Sequence, residues 1–251
     1  MCGTGFSDHE FFTEYLCVGG YVTAIISIPG FSEPFSSISH LLAAALFSFS
    51  GLVLLLRSRG CHGRLYSLGI FILSVILLLS MSGVFHLLEP GGEPRSILRR
   101  LDHAAIFTLI AGTFTPIHVL LFSGWRRWSV LTVIWVCAIA GIIVKTLYFD
   151  ELPEWVGLTL YLSMGWIGAL SAILIYHLHG GRYLVPLIAG AVAYTVGAVL
   201  EFLRMPTLID GVVGPHELFH VFVIFGISFH WLLIARIAED HRKGMLITQG
   251  D

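Results

Sequence analysis

An all-α membrane protein folded as a seven-transmembrane helical bundle is the class that the sequence predicts. Three observations carry it. Only 12% of residues are charged while 56% are hydrophobic, the mean hydropathy is +0.86, and long apolar stretches alternate with short polar breaks. Soluble domains carry about 25% charged residues, so a share this low implies an exterior that faces lipid.

The elements follow in order. Within an N-terminal segment, 1–38, the stretch Phe11–Phe31 is partly apolar but holds Glu14, Gly19, Gly20 and Pro29. It reads as an interfacial helix along the membrane surface rather than an eighth span. The first twenty residues lack a basic leader and carry Asp8, Glu10 and Glu14, so a cleavable signal peptide is not expected. A helix needs roughly 20 apolar residues to cross a bilayer core. The stretches that approach this are Leu41–Leu56, Leu68–Leu88, Ala104–Phe122, Val130–Leu147, Val156–Tyr176, Leu184–Leu203 and Leu218–Ile237. They define a seven-helix domain over 39–238, followed by a polar C-terminal tail over 239–251. The connections are short, so consecutive helices should run antiparallel.

Several classes are disfavoured. A net charge of −2 gives no basis for a nucleic-acid partner. Cys2, Cys17, Cys61 and Cys137 are scattered and signal neither a disulfide framework nor a thiolate metal site. No internal repeat of the kind common in transporters is evident. Basic residues at the span ends opposite the N-terminus (Arg57, Arg59, Arg64, Arg126, Arg127, Arg182, Arg236, Arg242, Lys243) outnumber those on its own side (Arg95, Arg99, Arg100, Lys145, Arg204). That bias favours a cytoplasmic C-terminus.

Ionisable groups at membrane depth are costly and mark candidate sites. His86 ends the second span, Asp102 begins the third, and His216 and His220 begin the seventh. In an up-and-down bundle these ends share one side of the membrane. Residues four apart stack on one helix face, so His216 and His220 can offer two imidazoles to one ion, and Ser82 and His86 present a hydroxyl and an imidazole together. Three protein ligands plus a water is the usual arrangement of catalytic zinc. The expected site is therefore zinc on His86, His216 and His220, with Asp102 orienting a water or taking its proton. Ser82 would hold that water or donate to an oxyanion.

Other polar groups read as structural. His118 and His230 suit packing or interfacial roles, and His103 points about 100° away from Asp102 on a helix. His177 and His179 read as a solvated loop, while Lys145 and Glu201 pair internally or snorkel. Trp125, Trp128, Trp155 and Trp231 fit an interfacial belt.

Ser82-x3-His86, Leu101-Asp102-His103 running into Ile110-Ala111-Gly112-Thr113-Phe114-Thr115-Pro116, Tyr161-Leu162-Ser163-Met164-Gly165-Trp166, and His216-x3-His220 resemble the hemolysin III branch of the progestin and adiponectin receptor (PAQR) family. The resemblance runs from about Glu33 to the end of the last span. Glu33-Pro34-Phe35-Ser36-Ser37-Ile38-Ser39-His40 resembles that family's first motif, with Ser36 where an asparagine is expected. The resemblance implies a seven-helix receptor-like fold with an intramembrane zinc on residues matching His86, His216 and His220, flanked by those matching Ser82 and Asp102. It also implies membrane-lipid partners, since adiponectin receptors and alkaline ceramidases are associated with hydrolysis of lipid amides; the roles of Glu33 and His40 stay open.

His216-Glu217-Leu218-Phe219-His220 also reads as H-E-x-x-H, in which Glu217 would be the base of a metalloprotease. The acids after His220 are Glu239, Asp240 and Asp251, at the far end of the span, so no downstream acidic ligand reaches the pair. The leading expectation is a multi-pass membrane protein, in the plasma or inner membrane if bacterial. It would act as a zinc-dependent hydrolase of lipid amides or esters, on a ceramide-like lipid with release of a fatty acid. The alternative is a non-catalytic lipid sensor or haemolysin-like protein with structural zinc.

Overall fold

The computed structural model describes residues 13–18 and 21–246. Two antiparallel strands come first, β1 (Thr13–Val18) and β2 (Tyr21–Ile26), in a register that pairs Val18 with Tyr21 and Thr13 with Ile26. This corrects the expected interfacial helix. The runs TEYLCV and YVTAII are rich in β-branched and aromatic residues, and a Gly-Gly pair between such runs is a hairpin signal. The end of β2 is tied down, because the Ile26 N–H donates to the Gly211 carbonyl at 2.9 Å.

Among the described residues eight α-helices follow: α1 (Pro34–Arg57), α2 (His62–Leu87), α3 (Glu93–Leu121), α4 (Gly124–Leu147), α5 (Glu154–Trp166), α6 (Gly168–His179), α7 (Leu184–Leu203) and α8 (Pro215–Arg242), with a 3-10 turn, Gly180–Tyr183, between α6 and α7. Proline stands in the first turn of α1, α3 and α8, where its missing N–H costs nothing and its fixed φ suits a helix start. The expected domain edges move outward. Helix α1 begins at Pro34, ahead of residue 39, and α8 runs past 238 to Arg242. The start of the supposed polar tail is therefore helical. Asp240 there is buried, accepting from the Tyr183 hydroxyl at 2.7 Å and from Arg182 at 3.0 Å.

Among the described residues six helical segments are long and apolar enough to cross a membrane, and the chain is a multi-pass integral membrane protein. The sequence predicts seven. The difference lies in Glu154–Leu203, where α5, α6 and α7 follow one another with only Ile167 and the 3-10 turn Gly180–Tyr183 between them, so that its 50 residues form one segment. A straight helix of that length would hold its ends about 75 Å apart. Instead Arg204, just past α7, bonds Glu154, the first residue of α5, at 2.6 Å. The chain turns back at Gly180, whose φ of +67° is a conformation that side chains other than glycine rarely adopt, and α7 packs against α5 and α6.

Helix α3 is the centre of the bundle: 78% of its apolar window is buried inside the protein, against 22% for α1. Its Leu109, Ile117 and Leu120 pack with Leu68, Phe71 and Leu79 of α2 and with Ile227, Leu233 and Ile234 of α8. On its other side Phe107, Ala111 and Phe114 meet Leu131, Ile134 and Ala138 of α4 and Met164 of α5. Small residues set the closest approaches, as is usual where lipid provides no hydrophobic drive between helices. A Cβ on Gly83 would lie 2.7 Å from Leu41, so α1 and α2 touch backbone to side chain next to His86.

Candidate metal centre

Helix ends of α1, α2, α3, α7 and α8 converge at one side of the bundle. The α1 end is stitched to the α2 end: the Ser32 and Glu33 N–H groups donate to the carbonyls of Leu87 and His86 at 3.3 and 3.0 Å, and the Ser37 hydroxyl donates to the Gly83 carbonyl at 2.8 Å. Ser36, where the resemblance leads one to expect asparagine, donates its hydroxyl to Glu217 at 3.1 Å and so ties α1 to α8.

His86, His216 and His220 meet at this junction, with ligating atoms all within 4.8 Å of one another. Their ring centroids are 4.9 Å apart for His86 and His216, 4.7 Å for His86 and His220, and 4.5 Å for His216 and His220. His86 and His220 are buried, and His216 is half-buried. Ser82 is also buried, one turn before His86. Asp102, in the third turn of α3, lies beside Ser82 and within electrostatic reach of His216.

Two carboxylates stand behind the rings. Glu33 accepts a bond from His86 Nδ1, and Arg95 donates to the other Glu33 oxygen and to the Leu88 carbonyl. Burial works against the Glu33 charge. The hydrogen bond from His86 and the Arg95 guanidinium on its other oxygen outweigh it and hold the carboxyl below the usual carboxylate range. Glu201 of α7 stands 3.3 Å from His216 Nδ1. An ionised carboxylate can only accept, so each Nδ1 carries a proton, and in the neutral ring each Nε2 presents a lone pair. Those two Nε2 atoms face each other at 3.3 Å.

In neutral rings two lone pairs at that distance repel, and either a proton or a metal cation between them relieves the repulsion. Nitrogens bound at about 2.0–2.1 Å to one tetrahedral zinc stand about 3.3–3.4 Å apart. The donor set thus fits a metal in number, and in the spacing of the His86–His216 pair. His220 adds a buried Nδ1 with no hydrogen-bond partner among the described residues.

Neither Arg95 nor the partners of Glu201 are evident from spacing. Glu33 and His86 are 53 positions apart. The one available signal for Glu201 is an acid inside an otherwise apolar stretch. His40 is buried and stacks on His220 at 3.9 Å and 13°, with neither ring nitrogen partnered among the described residues. Glu217 is spent on structure. One oxygen caps α8 by accepting from the Gly214 N–H at 3.0 Å, and the other takes the Ser36 hydroxyl, which leaves it poorly placed as a protease base.

The remaining polar residues are mostly structural. His103 bonds the Arg99 carbonyl at 2.8 Å, His118 meets Ser171 at 2.9 Å, and His230 meets the Leu187 carbonyl at 3.2 Å. His177 and His179 close α6 rather than lying in a loop. Trp125, Trp128 and Trp155 are exposed as a belt requires, whereas Trp231 packs inward on Phe47 and Phe71.

Residues 31–231 match the family described as "Haemolysin-III related". The chain is 29% identical to "Hemolysin-3" of Bacillus cereus over 194 residues, which covers 76% of this chain and 84% of that protein. It is 28% identical to "Hemolysin-3 homolog" of Bacillus subtilis over 184 residues, 72% of this chain and 83% of that one. A plant protein, "Heptahelical transmembrane protein ADIPOR2" of Oryza sativa, is 27% identical over 180 residues, 66% of this chain and 79% of its own.

Proposed function

The chain belongs to the haemolysin III-related family, and from that premise we propose that it is a zinc-dependent hydrolase of membrane-lipid amides or esters. Its metal would be held by His86, His216 and His220. The observation that carries this reading is the facing pair of Nε2 atoms at 3.3 Å, each with its Nδ1 turned to a carboxylate. A zinc ion held there would supply Lewis acidity. The chain's own residues do the rest. Asp102 takes the proton of the attacking water and passes it to the leaving amine or alkoxide. Ser82, beside it, donates its hydroxyl to the oxygen on which charge develops. The acyl chain enters from the lipid-facing side of the bundle, so cleavage adds water across the bond and yields a fatty acid.

The same reading takes Glu154–Leu203 as two passes joined at Gly180, which gives seven spans. It is supported by the Glu154–Arg204 pair at 2.6 Å, which brings the two ends of that stretch to one side.

The test uses the full chain purified in detergent, with its zinc content measured and ceramide-like and ester substrates supplied. Release of fatty acid that disappears in Asp102→Ala, with zinc retained, is the expected result. Stoichiometric zinc with no lipid cleaved would replace the hydrolase by a lipid sensor or haemolysin-like protein in which the metal is structural.

A further inference from the structure

We propose that Glu201, clamped by Arg204, is a positioning residue for His216, so that α7, which supplies no ligand, sets the metal affinity of the centre. The inference rests on the metal reading above and extends it to a helix that the ligand motifs do not include.

Four observations point to it. First, Glu201 Oε1 lies 3.3 Å from His216 Nδ1 and 2.8 Å from an Arg204 nitrogen. That carboxylate oxygen therefore joins the ring to the guanidinium. Second, the other Arg204 nitrogen bonds Glu154 at 2.6 Å, which anchors the arm on α5. Third, Arg204 sits at φ +55° as the C-cap of α7. Glycine is the usual residue for that left-handed conformation, and a non-glycine residue persists in it where its surroundings hold it. Here the guanidinium spans two carboxylates. Fourth, the arm repeats the arrangement on the other side of the centre, where Arg95, Glu33 and His86 follow one another in the same order.

The chemistry gives the arm its purpose. His216 is half-buried and begins a helix after a long loop, so its ring has more freedom than that of the buried His86. A carboxylate behind Nδ1 removes both the rotational and the tautomeric choice, leaving Nε2 free for the metal. It also raises the ligand's basicity, as carboxylates behind metal-bound histidines do. Glu201 has a second, buried oxygen with no partner among the described residues, so its charge is committed to this face alone.

The experiment measures Zn2+ affinity by chelator competition on the full chain in detergent, with Co2+ absorption reporting the ligand set. Glu201→Leu should weaken Zn2+ binding by about 10- to 100-fold with no change in metal stoichiometry at saturation. Glu201→Gln, which keeps an acceptor, should fall between that variant and wild type. Arg204→Gly separates positioning from folding, because glycine relieves the left-handed strain. Its metal-free protein should melt no lower than wild type while Zn2+ affinity still falls several-fold. Wild-type affinity in Glu201→Leu and Arg204→Gly, with zinc bound stoichiometrically, overturns the inference and leaves the metal reading intact. Absence of zinc binding in the wild type sinks the metal reading itself, and the role of Glu201 with it.

Discussion

His86 and His216 point their Nε2 atoms at each other across 3.3 Å, although 130 positions separate them in the chain. Each ring is turned that way from behind. The geometry is unfavourable for two bare neutral imidazoles and favourable once a proton or a metal ion is shared between them.

Metal content is the first consequence. Wild type should hold about one zinc per chain, and His86→Ala, His216→Ala and His220→Ala should each lose it. Because the ion binds the folded state, saturation at 100 to 1,000 times Kd stabilises the fold by about 2.7 to 4.1 kcal/mol. A chelator should therefore lower the melting temperature of wild type and leave the three variants unmoved. Zinc retained in His86→Ala would break the shared site.

Glu33 should matter almost as much as a ligand. It is the acceptor that fixes the His86 tautomer, and Arg95 is oriented on its other oxygen. Glu33→Gln keeps the shape but offers an amide that can turn its N–H2 towards His86. Zinc affinity should fall about 10- to 100-fold, measured by chelator competition. An unchanged affinity would make Glu33 a purely structural tie between α1 and α3.

The convergence of His86, His216 and His220 was legible in the sequence because its signals are local or topological: an i, i+4 pair on one span and a histidine at the matching end of another. The carboxylates behind it were not. Glu33 reaches His86 only because the chain before α1 docks on the α2 end, and Glu201 reaches His216 only because α7 packs along α8. Neither contact leaves a periodicity. The N-terminal hairpin was misread for a different reason: Glu14, Gly19 and Gly20 look like interruptions of a helix until the flanking Tyr, Val, Thr and Ile residues are weighed as strand formers. Hydropathy separated Val156–Tyr176 from Leu184–Leu203 as two apolar stretches, whereas helical structure across Gly180 was beyond its reach.

Packing beside the site should be unforgiving at Gly83. An added Cβ would come within 2.7 Å of Leu41 Cγ and 3.2 Å of the Leu41 backbone nitrogen. The side chain can shift and the backbone cannot. Gly83→Val should destabilise by about 1–3 kcal/mol, seen as a lower melting temperature in detergent. Leu41→Ala on the same background should recover part of that loss, a non-additivity expected of residues in contact. Full additivity of the two changes would mean that α1 and α2 are not in contact there.

The number of passes can be decided by labelling. Helices α5 and α6 together, Glu154–His179, reach about 39 Å at 1.5 Å per residue, and α7 with its 20 residues reaches about 30 Å, so each is long enough for a core of about 30 Å. The Glu154–Arg204 bond puts both outer ends on the side of the histidines. A cysteine at Gly181 should then react with an impermeant thiol reagent from the membrane face opposite to cysteines at Glu151 and Leu208, in a background with Cys2, Cys17, Cys61 and Cys137 replaced by serine. Labelling of all three positions from one face would leave Glu154–Leu203 without the two crossings and reduce the bundle to fewer than seven spans.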